Sequence, residues 1–290
     1  MCLIVAQIGV AIPKFRHARQ YLAFGLPLIP ANIAQWIVDS SDRYLIAFFL
    51  GATAVGYYSP GYAIGNTLSM VAAPLMTLLL PVLSKHYDYD QIIEVRTVLT
   101  YSLKYYSAIV LPCVFALSVL SMPILLILTT QQIAENGYLV TPLVAAGAAL
   151  IGASTMFANI LALKEKTTIY GTIWIISALL NLGLNVVLIP YLGLIGAALA
   201  TFLAFLFAFV SSSRYSLRQF TFDVNSGFIV KSICAWSIMS IVLLLWSLSG
   251  LLSIVLSIAL GAIIYLTILL VVRGLTIQEI KFIYRIFKGS

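Results

Sequence analysis

The sequence predicts an all-α integral membrane protein, a polytopic bundle of about eight transmembrane helices. Hydrophobic residues make up 62% of the 290 residues, charged residues make up only 9%, and the mean hydropathy is +1.08. A soluble core of this length cannot bury that much apolar surface. Apolar runs of roughly 20 residues, which cross a hydrocarbon core of about 30 Å, recur along the whole chain. Lipid is therefore the expected solvent.

The predicted organisation has three parts. Residues 1–20 read as the remnant of a preceding span and a basic cytoplasmic connector, residues 21–272 as the eight-helix lobe, and residues 273–290 as a basic amphipathic tail on the cytoplasmic membrane surface. An untethered basic tail is the alternative for the last part. The predicted spans are 21–50, 56–83, 97–120, 138–163, 167–189, 193–212, 229–248 and 251–272.

The basic residues alternate from connector to connector, as the positive-inside rule requires of a correct map of spans. The chain has sixteen Lys and Arg residues. Every second connector, with the tail, holds fourteen of them: Lys14, Arg16, Arg19; Lys85, Arg96; Lys164, Lys166; Arg214, Arg218, Lys231; and in the tail Arg273, Lys281, Arg285, Lys288. The connectors at 51–55, 121–137, 190–191 and 249–250 hold none. This pattern predicts a multi-pass protein of the cell membrane with a cytoplasmic C-terminus.

The net charge of +7 does not indicate a nucleic-acid partner, because the basic residues are dispersed between apolar runs instead of clustering on one exposed face. The three cysteines and two histidines have no spacing typical of a metal site, so no metal site is predicted.

Four charged residues fall inside predicted spans: Asp39, Asp42, Arg43 and Lys104. A charge near the centre of a spanning helix costs roughly 2.5 to 3.5 kcal/mol on insertion scales, so such groups usually face a polar cavity or one another. At 100° per residue the first three share a stripe about 100° wide with Asn32 and Gln35. Asp39 and Arg43 have the spacing of an i, i+4 ion pair. A structural ion pair at a wet helix end is the alternative to a ligand site.

Three further spans carry polar stripes. Their members are Ser59, Tyr62, Asn66, Ser69, Thr77; Thr97, Thr100, Lys104, Ser107; and Trp174, Ser177, Asn181, Asn185. A single stripe of this kind usually serves as hydrogen-bonding glue between helices. Several stripes together favour a polar cavity.

Two segments resemble the polysaccharide or O-antigen flippases of the multidrug/oligosaccharidyl-lipid/polysaccharide (MOP) exporter superfamily. The first is YLAFGLPLIPANIAQWIVDSSDRYLIAFFLGATAVGYYSPGYAIG, with a Gly-Leu-Pro start, a Ser-Asp-Arg in the same helix and a Gly-x-x-x-Val-Gly-x-Tyr turn. The second is LNLGLNVVLIPYLGLIGAALAT, with an asparagine-bearing helix, a Pro-x-x-Gly reversal and a Gly-Ala-Ala start to the next span.

The resemblance implies one lobe of a MOP/MATE-like transporter, with two lobes around a cavity and no enzymatic activity. The implied function is to move polyprenyl-diphosphate-linked oligosaccharide across the membrane for polysaccharide or O-antigen biosynthesis. The chain resembles the C-terminal half, so it is expected to be a truncated or half transporter that needs an N-terminal lobe or a second chain as its partner, beside the lipid bilayer.

Substrate-binding roles are predicted for seven residues. Arg43 suits phosphate oxygens through its forked donors, and Lys104 supplies a second, more compact charge. The residues expected to face hydroxyl groups and sugar faces are Asn66, Tyr62, Asn181, Asn185 and Trp174. Asp39 or Asp42 is expected to hold Arg43 in place or to take up a coupling H⁺ or Na⁺. No other cofactor is expected.

Three alternatives stay open at this stage. An ion-coupled multidrug exporter of the same superfamily would use buried carboxylates as its main ligands, and Arg43 argues against it. A membrane-embedded glycosyltransferase or polymerase would need a larger outer loop, whereas the longest outer connector offers only Glu135, and His17 and His86 lie outside the cavity-facing spans. A non-transporting remnant is the third.

Overall fold

The computed structural model describes residue 22, residues 25–245, residues 251–272 and residue 274. All regular structure in these ranges is helical, which confirms the predicted fold class. The helices are α1 (Leu28–Leu50), α2 (Ala52–Asp88), α3 (Ile92–Leu128), α4 (Gln131–Gly137), α5 (Val140–Leu163), α6 (Thr167–Gln219), α7 (Ser226–Leu245) and α8 (Leu251–Val271). The predicted connector at 1–20 lies outside the described residues, as does the tail except for Gly274.

Helix α6 is two antiparallel helices joined by a sharp reversal at Gly193. The backbone there has φ 59° and ψ −136°, a conformation that glycine adopts at little cost. Beyond this point Gly196 returns against the backbone of Leu188, and Asn181 Nδ2 donates to Thr201 Oγ1 at 3.1 Å. We call residues 167–192 the first arm and residues 194–219 the second arm. With these two arms the described ranges contain eight long helical segments, in the order that the sequence predicts.

Several helices are longer than the predicted spans. Helix α2 has 37 residues and is therefore about 55 Å long, well beyond a hydrocarbon core of about 30 Å. The predicted outer connector at 121–137 is wrong in its detail, because α3 continues to Leu128 and the short helix α4 follows. Helix α2 continues through the polar residues 84–88, and α3 continues through the apolar stretch 121–128 with Pro123 inside the helix, so neither polarity nor proline marks these helix ends.

By length and composition, four helical stretches among the described residues can cross a membrane: Ile92–Leu128, Val140–Leu163, Thr167–Gln219 and Ser253–Val271. Helix α1 is not among them because Asp39, Asp42 and Arg43 fall in every 18-residue window of it. The outward side chains of the bundle are largely apolar, including Phe48, which is 80% exposed, and Tyr191, which is 84% exposed. The protein is therefore a multi-pass membrane protein, and its helix α1 contains an unusual number of charged residues for such a helix.

The basic connectors meet at one end of the bundle. Lys164 Nζ donates to Tyr87 Oη at 2.8 Å, and Lys166 Nζ donates to Gln219 Oε1 at 2.7 Å. At the opposite end Gln132 Nε2 donates to Tyr57 Oη at 2.8 Å. The helices thus run up and down between a basic end and an end whose connectors are uncharged or acidic, as the alternation of basic connectors predicts.

The helices form a main body and a peripheral pair. In the main body α1 packs on α6 and α2, α5 packs between α2 and α6, and α3 lies against α2 and α5. Helices α7 and α8 pack on each other and on α3, through a cluster that includes Phe228, Met239, Tyr265 and Leu269. Trp236 of this pair stacks on Phe115 of α3.

Small residues allow α2 to approach α4 and α5 closely. A Cβ added at Gly61 would overlap the carbonyl oxygen of Gly137, and one added at Gly65 would lie 2.8 Å from the carbonyl oxygen of Thr141. Thr141 Oγ1 also donates to the Gly61 carbonyl at 3.0 Å. Close backbone approach over small residues is a common way for helices to associate in membranes.

We expect Gly61→Ala to lower the free energy of unfolding by about 1 to 3 kcal/mol, because the new methyl group meets backbone that cannot move aside alone. The matched control is Gly56→Ala on the same helix, where an added Cβ meets nothing within 4 Å. That variant should be neutral or slightly stabilising, since alanine favours the helix. Thermal unfolding of both variants in detergent measures the difference, and equal stability would contradict the close contact.

Candidate transport site

A fully buried carboxylate, Asp42 of α1, holds together three other helical segments. Tyr58 Oη of α2 donates to Asp42 Oδ2 at 2.6 Å, and Thr201 Oγ1 of the second arm donates to the same oxygen at 2.8 Å. Asn185 Nδ2 of the first arm donates to Asp42 Oδ1 at 3.1 Å. We call these four residues the Asp42 cluster. Hydrogen bonds from three segments compensate a buried carboxylate that would otherwise be costly.

The hydrogen bonds continue beyond the Asp42 cluster. Asn181, one turn before Asn185, accepts from Asn185 Nδ2 at 3.1 Å and from Ser41 Oγ at 2.9 Å. Its own amide donates to Thr201, which closes a ring of bonds between α1 and both arms of α6. Asn185 Oδ1 is buried without a hydrogen-bond partner, although carbonyl oxygens in such a site are usually satisfied. The ring therefore has one spare acceptor beside Asp42.

A half-buried cation lies beside this ring on α1. The guanidinium of Arg43 lies over the ring of Tyr62, with Cζ 4.5 Å from the ring centroid. Arg43 Nη1 donates to the backbone carbonyl of Asp39 at 3.3 Å, and Tyr62 Oη donates to the same carbonyl at 3.2 Å. The expected i, i+4 contact thus reaches the backbone of Asp39 and not its carboxylate. The stacked, partly exposed guanidinium retains donors that can meet an anion.

The polar stripe of α2 divides into two kinds of residue. Asn66 is exposed and lies one turn from Tyr62, on the same side of the helix. The hydroxyls of Ser59, Ser69 and Thr77 donate to carbonyls of their own helix at 2.8, 2.7 and 2.9 Å. Hydroxyls satisfied in this way have no need of a ligand. The half-buried Arg43 and the exposed Asn66 therefore form a polar surface, with the ring of the buried Tyr62 beneath the guanidinium; we call these three residues the Arg43 surface.

The remaining residues of the predicted site lie elsewhere. Asn181 and Asn185 are 0% exposed and belong to the hydrogen-bonded ring. Trp174 is 1% exposed and packs in a hydrophobic cluster with Val38, Ala178 and Phe205. Their side chains are interior in this conformation.

Lys104 is on α3, which is not one of the principal neighbours of α1. It lines a separate cavity of about 690 Å³ at the basic end of the bundle. The predicted partners Thr97 and Thr100 line the same cavity. The two cations predicted within the spans thus occupy different sites.

Sequence reasoning missed two members of the Asp42 cluster. Tyr58 is one turn before Tyr62, and Thr201 follows the Gly-Ala-Ala start of the second arm. Thr201 is a lone polar group in an apolar stretch, which was the available signal, whereas Tyr58 is flanked by Tyr57 and Ser59 and does not stand out. In the parts of the chain that the structure describes, no three His, Cys, Asp or Glu side chains come together as a metal site.

Comparison with known proteins joins these features to a family. Residues 2–136 match the family described as polysaccharide biosynthesis protein. The chain is 25% identical over 210 residues to "Probable low-salt glycan biosynthesis flippase Agl15" of Haloferax volcanii, and 29% identical over 178 residues to "Probable flippase AglR" of the same organism. Over part of its length the chain is thus similar to flippases of polysaccharide and glycan biosynthesis. These matches agree with the resemblance found in the sequence.

Solved structures of MOP proteins have the same fold. The lipid II flippase MurJ, in an inward closed conformation, superposes with a TM-score of 0.71 at 19% identity, over 89% of this chain and 55% of that one. A MATE family multidrug resistance transporter in an outward-facing conformation superposes with a TM-score of 0.54 at 16% identity, over 76% of this chain and 52% of that one. The proteins that this chain resembles are thus flippases and transporters and not enzymes.

The match to the Haloferax flippases is partial in both directions. It covers 70% of this chain and 43% of Agl15, and 60% of this chain and 37% of AglR. The chain therefore spans less than half the length of the curated relatives that it matches.

Proposed function

We propose that this chain forms one lobe of a transporter that moves polyprenyl-diphosphate-linked oligosaccharide across the cell membrane for polysaccharide biosynthesis. The observation that carries the proposal is the Arg43 surface, where a stacked guanidinium is partly exposed within a membrane helix. Ionisable residues within membrane segments usually mark a substrate or ion pathway. The flippase relatives support the same class of substrate.

The Arg43 surface is suited to carrying a diphosphate through a region that would otherwise strip it of water. The forked guanidinium can donate two parallel hydrogen bonds to phosphate oxygens. The guanidinium of Arg43 packs on the ring of Tyr62 and donates a hydrogen bond to the Asp39 carbonyl, and these two contacts fix its position and direction. The exposed amide of Asn66, one turn away, can bond a sugar hydroxyl. The proposed substrate contacts are therefore Arg43 and Asn66, and the buried Tyr62 positions the guanidinium.

The buried residues have a different proposed role. Asn181, Asn185 and Trp174 act by fixing α6 against α1, not by touching the sugar. Within the ring Asp42 is the proposed coupling carboxylate, because it lies beside the spare carbonyl oxygen of Asn185. A carboxylate with amide and hydroxyl oxygens around it can take up a proton or Na⁺. Uptake would replace the hydrogen bonds that now join α1, α2 and α6, which links ion binding to helix packing.

The fold supports a partner and an orientation. The chain spans 55% of the superposed flippase, so we propose that an N-terminal lobe or a second chain supplies the other wall of the cavity. The end where Lys164 and Lys166 lie is the proposed cytoplasmic end, which places the C-terminus in the cytoplasm.

One observation favours a second candidate, ion-coupled export of cationic drugs. Asp39 and Asp42 are carboxylates within a membrane helix, and the chain also superposes on a MATE transporter. The three bonds to Asp42 leave it little capacity for an organic cation, and the half-buried Arg43 next to it would repel one. An anionic substrate fits the surface better.

The test is export complementation in a strain that lacks its own oligosaccharide flippase. The chain is expressed alone and fused behind a first lobe of a MOP flippase, and surface polysaccharide is scored. We expect restoration by the fusion. If neither form restores surface polysaccharide but the chain confers resistance to cationic drugs, the MATE-like alternative is favoured. If the chain neither restores polysaccharide nor confers resistance, transport by this lobe is contradicted.

A further inference from the structure

We propose that one anionic phospholipid binds between α3 and the α7–α8 pair, with its phosphate at Arg96 and Lys104 and one acyl chain along the groove beyond them. This site is separate from the Arg43 surface. It requires no transport activity, so it can be tested independently of the proposed function.

The head of the proposed site is the cavity of about 690 Å³ that contains Lys104. It lies between the first turns of α3 and the connector that joins α6 to α7. Its lining contains two cations, Arg96 and Lys104, together with the polar side chains of Thr97, Thr100, Asp223 and Asn225. The guanidinium Cζ of Arg96 is 5.6 Å from the ring centroid of Phe220, and Lys104 Nζ is 5.3 Å from that of Phe228. Both cations are thus positioned by aromatic rings at the rim of the cavity.

The tail of the proposed site is an apolar groove of about 230 Å³ on the same side of α3. One wall is Ala108, Pro112 and Ala116 of α3, and the other is built mainly from α8 around Gly261 and Ala262. Ile109, Ile258 and Leu266 at its edges are 46%, 49% and 49% exposed. The groove therefore opens onto the surrounding hydrocarbon.

Head and tail are continuous along α3. Lys104, Ala108, Pro112 and Ala116 recur every fourth residue, so they form one stripe on the helix. At 1.5 Å per residue the stripe extends about 18 Å beyond Lys104. A phospholipid in the leaflet at the basic end has the same arrangement. Its charged head group would occupy the cavity, and one acyl chain would lie along the apolar groove.

Charge selects the kind of lipid. The cavity lining holds two cations, Arg96 and Lys104, and one carboxylate, Asp223, so its net charge is +1. A phosphodiester lipid with one negative charge, such as phosphatidylglycerol, neutralises this site. A diphosphate would leave negative charge beside Asp223, and a zwitterionic lipid brings no net charge. The proposed occupant is therefore a monoanionic phospholipid and not the diphosphate lipid proposed as substrate.

The test is titration of the delipidated protein with phosphatidylglycerol in neutral detergent, followed by native mass spectrometry. We expect one tight site per chain. The double variant Arg96→Gln/Lys104→Gln should weaken binding at least about tenfold, because hydrogen bonds to charged groups are lost. Lys104→Arg keeps the positive charge, so this variant should retain lipid binding. Ala262→Phe should weaken binding by filling the groove.

Two controls match these variants. Lys85→Gln/Arg214→Gln removes the same charge from exposed positions at the basic end, and Ile263→Phe adds the same ring to α8 outside the groove. Both should bind within about twofold of the unaltered protein, well inside the tenfold loss expected of the site variants. Equal losses in variants and controls would overturn the proposal, as would equal affinity for phosphatidylcholine. Preference for a polyprenyl diphosphate would assign the site to the substrate instead.

Discussion

Arg43→Ala is expected to reduce flipping of lipid-linked oligosaccharide about tenfold to a hundredfold while the bundle still folds. The variant removes the forked donors that are proposed to meet the diphosphate, and charge-assisted hydrogen bonds of this kind contribute about 1.5 to 3 kcal/mol. The measurement is flipping of a fluorescent lipid-linked oligosaccharide in vesicles, made with whichever form of the chain complements export. Arg43 also lies on Tyr62, so a small loss of stability is expected.

Two variants isolate the contribution of the fork at Arg43. Arg43→Lys keeps one positive charge without the planar fork, and we expect flipping between the unaltered protein and Arg43→Ala. Arg214→Ala removes an exposed arginine at the basic end of the bundle and should leave flipping unchanged. Full activity of Arg43→Ala would remove this residue from the substrate path.

Asp42→Ala is expected to lower the free energy of unfolding by about 3 kcal/mol or more. The change leaves the buried donors of Tyr58, Asn185 and Thr201 without their acceptor, and each orphaned donor costs about 1 to 3 kcal/mol. Denaturation in detergent with increasing sodium dodecyl sulfate measures the loss. Asp39→Ala is the matched control on the same helix, and it should cost much less, because the structure uses the backbone carbonyl of Asp39 and not its carboxylate.

Asp42→Asn separates packing from coupling. The amide keeps one acceptor oxygen at nearly the same size, so we expect a smaller loss of stability than in Asp42→Ala. If Asp42 also takes up the coupling ion, the folded Asp42→Asn protein should lose the dependence of flipping on an imposed H⁺ or Na⁺ gradient. An Asp42→Asn protein with an unchanged response to both gradients would leave the Asp42 cluster with a packing role alone.

Hydropathy and charge predicted most of the fold because both act through local sequence. Three features could be recognised from residues that are close in sequence. They are the apolar runs, the reversal near Gly193 and the alternation of basic connectors. The exact helix ends were beyond this reasoning, since α2 continues past its apolar part into residues 84–88 and α3 continues through Pro123 to Leu128.

The candidate site was only partly predictable. The helical period places Asp39, Asp42 and Arg43 on one stripe of α1, but a stripe 100° wide spans two environments. Asp42 points into the packed interior, whereas Arg43 remains partly exposed. Periodicity gives no information on which helices are neighbours. It therefore grouped Lys104 with Arg43, although α3 is not a principal neighbour of α1, and it left out Tyr58 and Thr201.

The position of α7 and α8 has a consequence for how the protein is assembled. This pair meets the rest of the bundle mainly at α3, whereas α1, α2, α5 and both arms of α6 share buried contacts among themselves. A ribosome-bound chain can therefore complete its polar ring before the last two helices leave the translocon. The final hairpin then joins a finished surface, and its deletion should yield a shorter protein that still inserts and retains the Asp42 cluster.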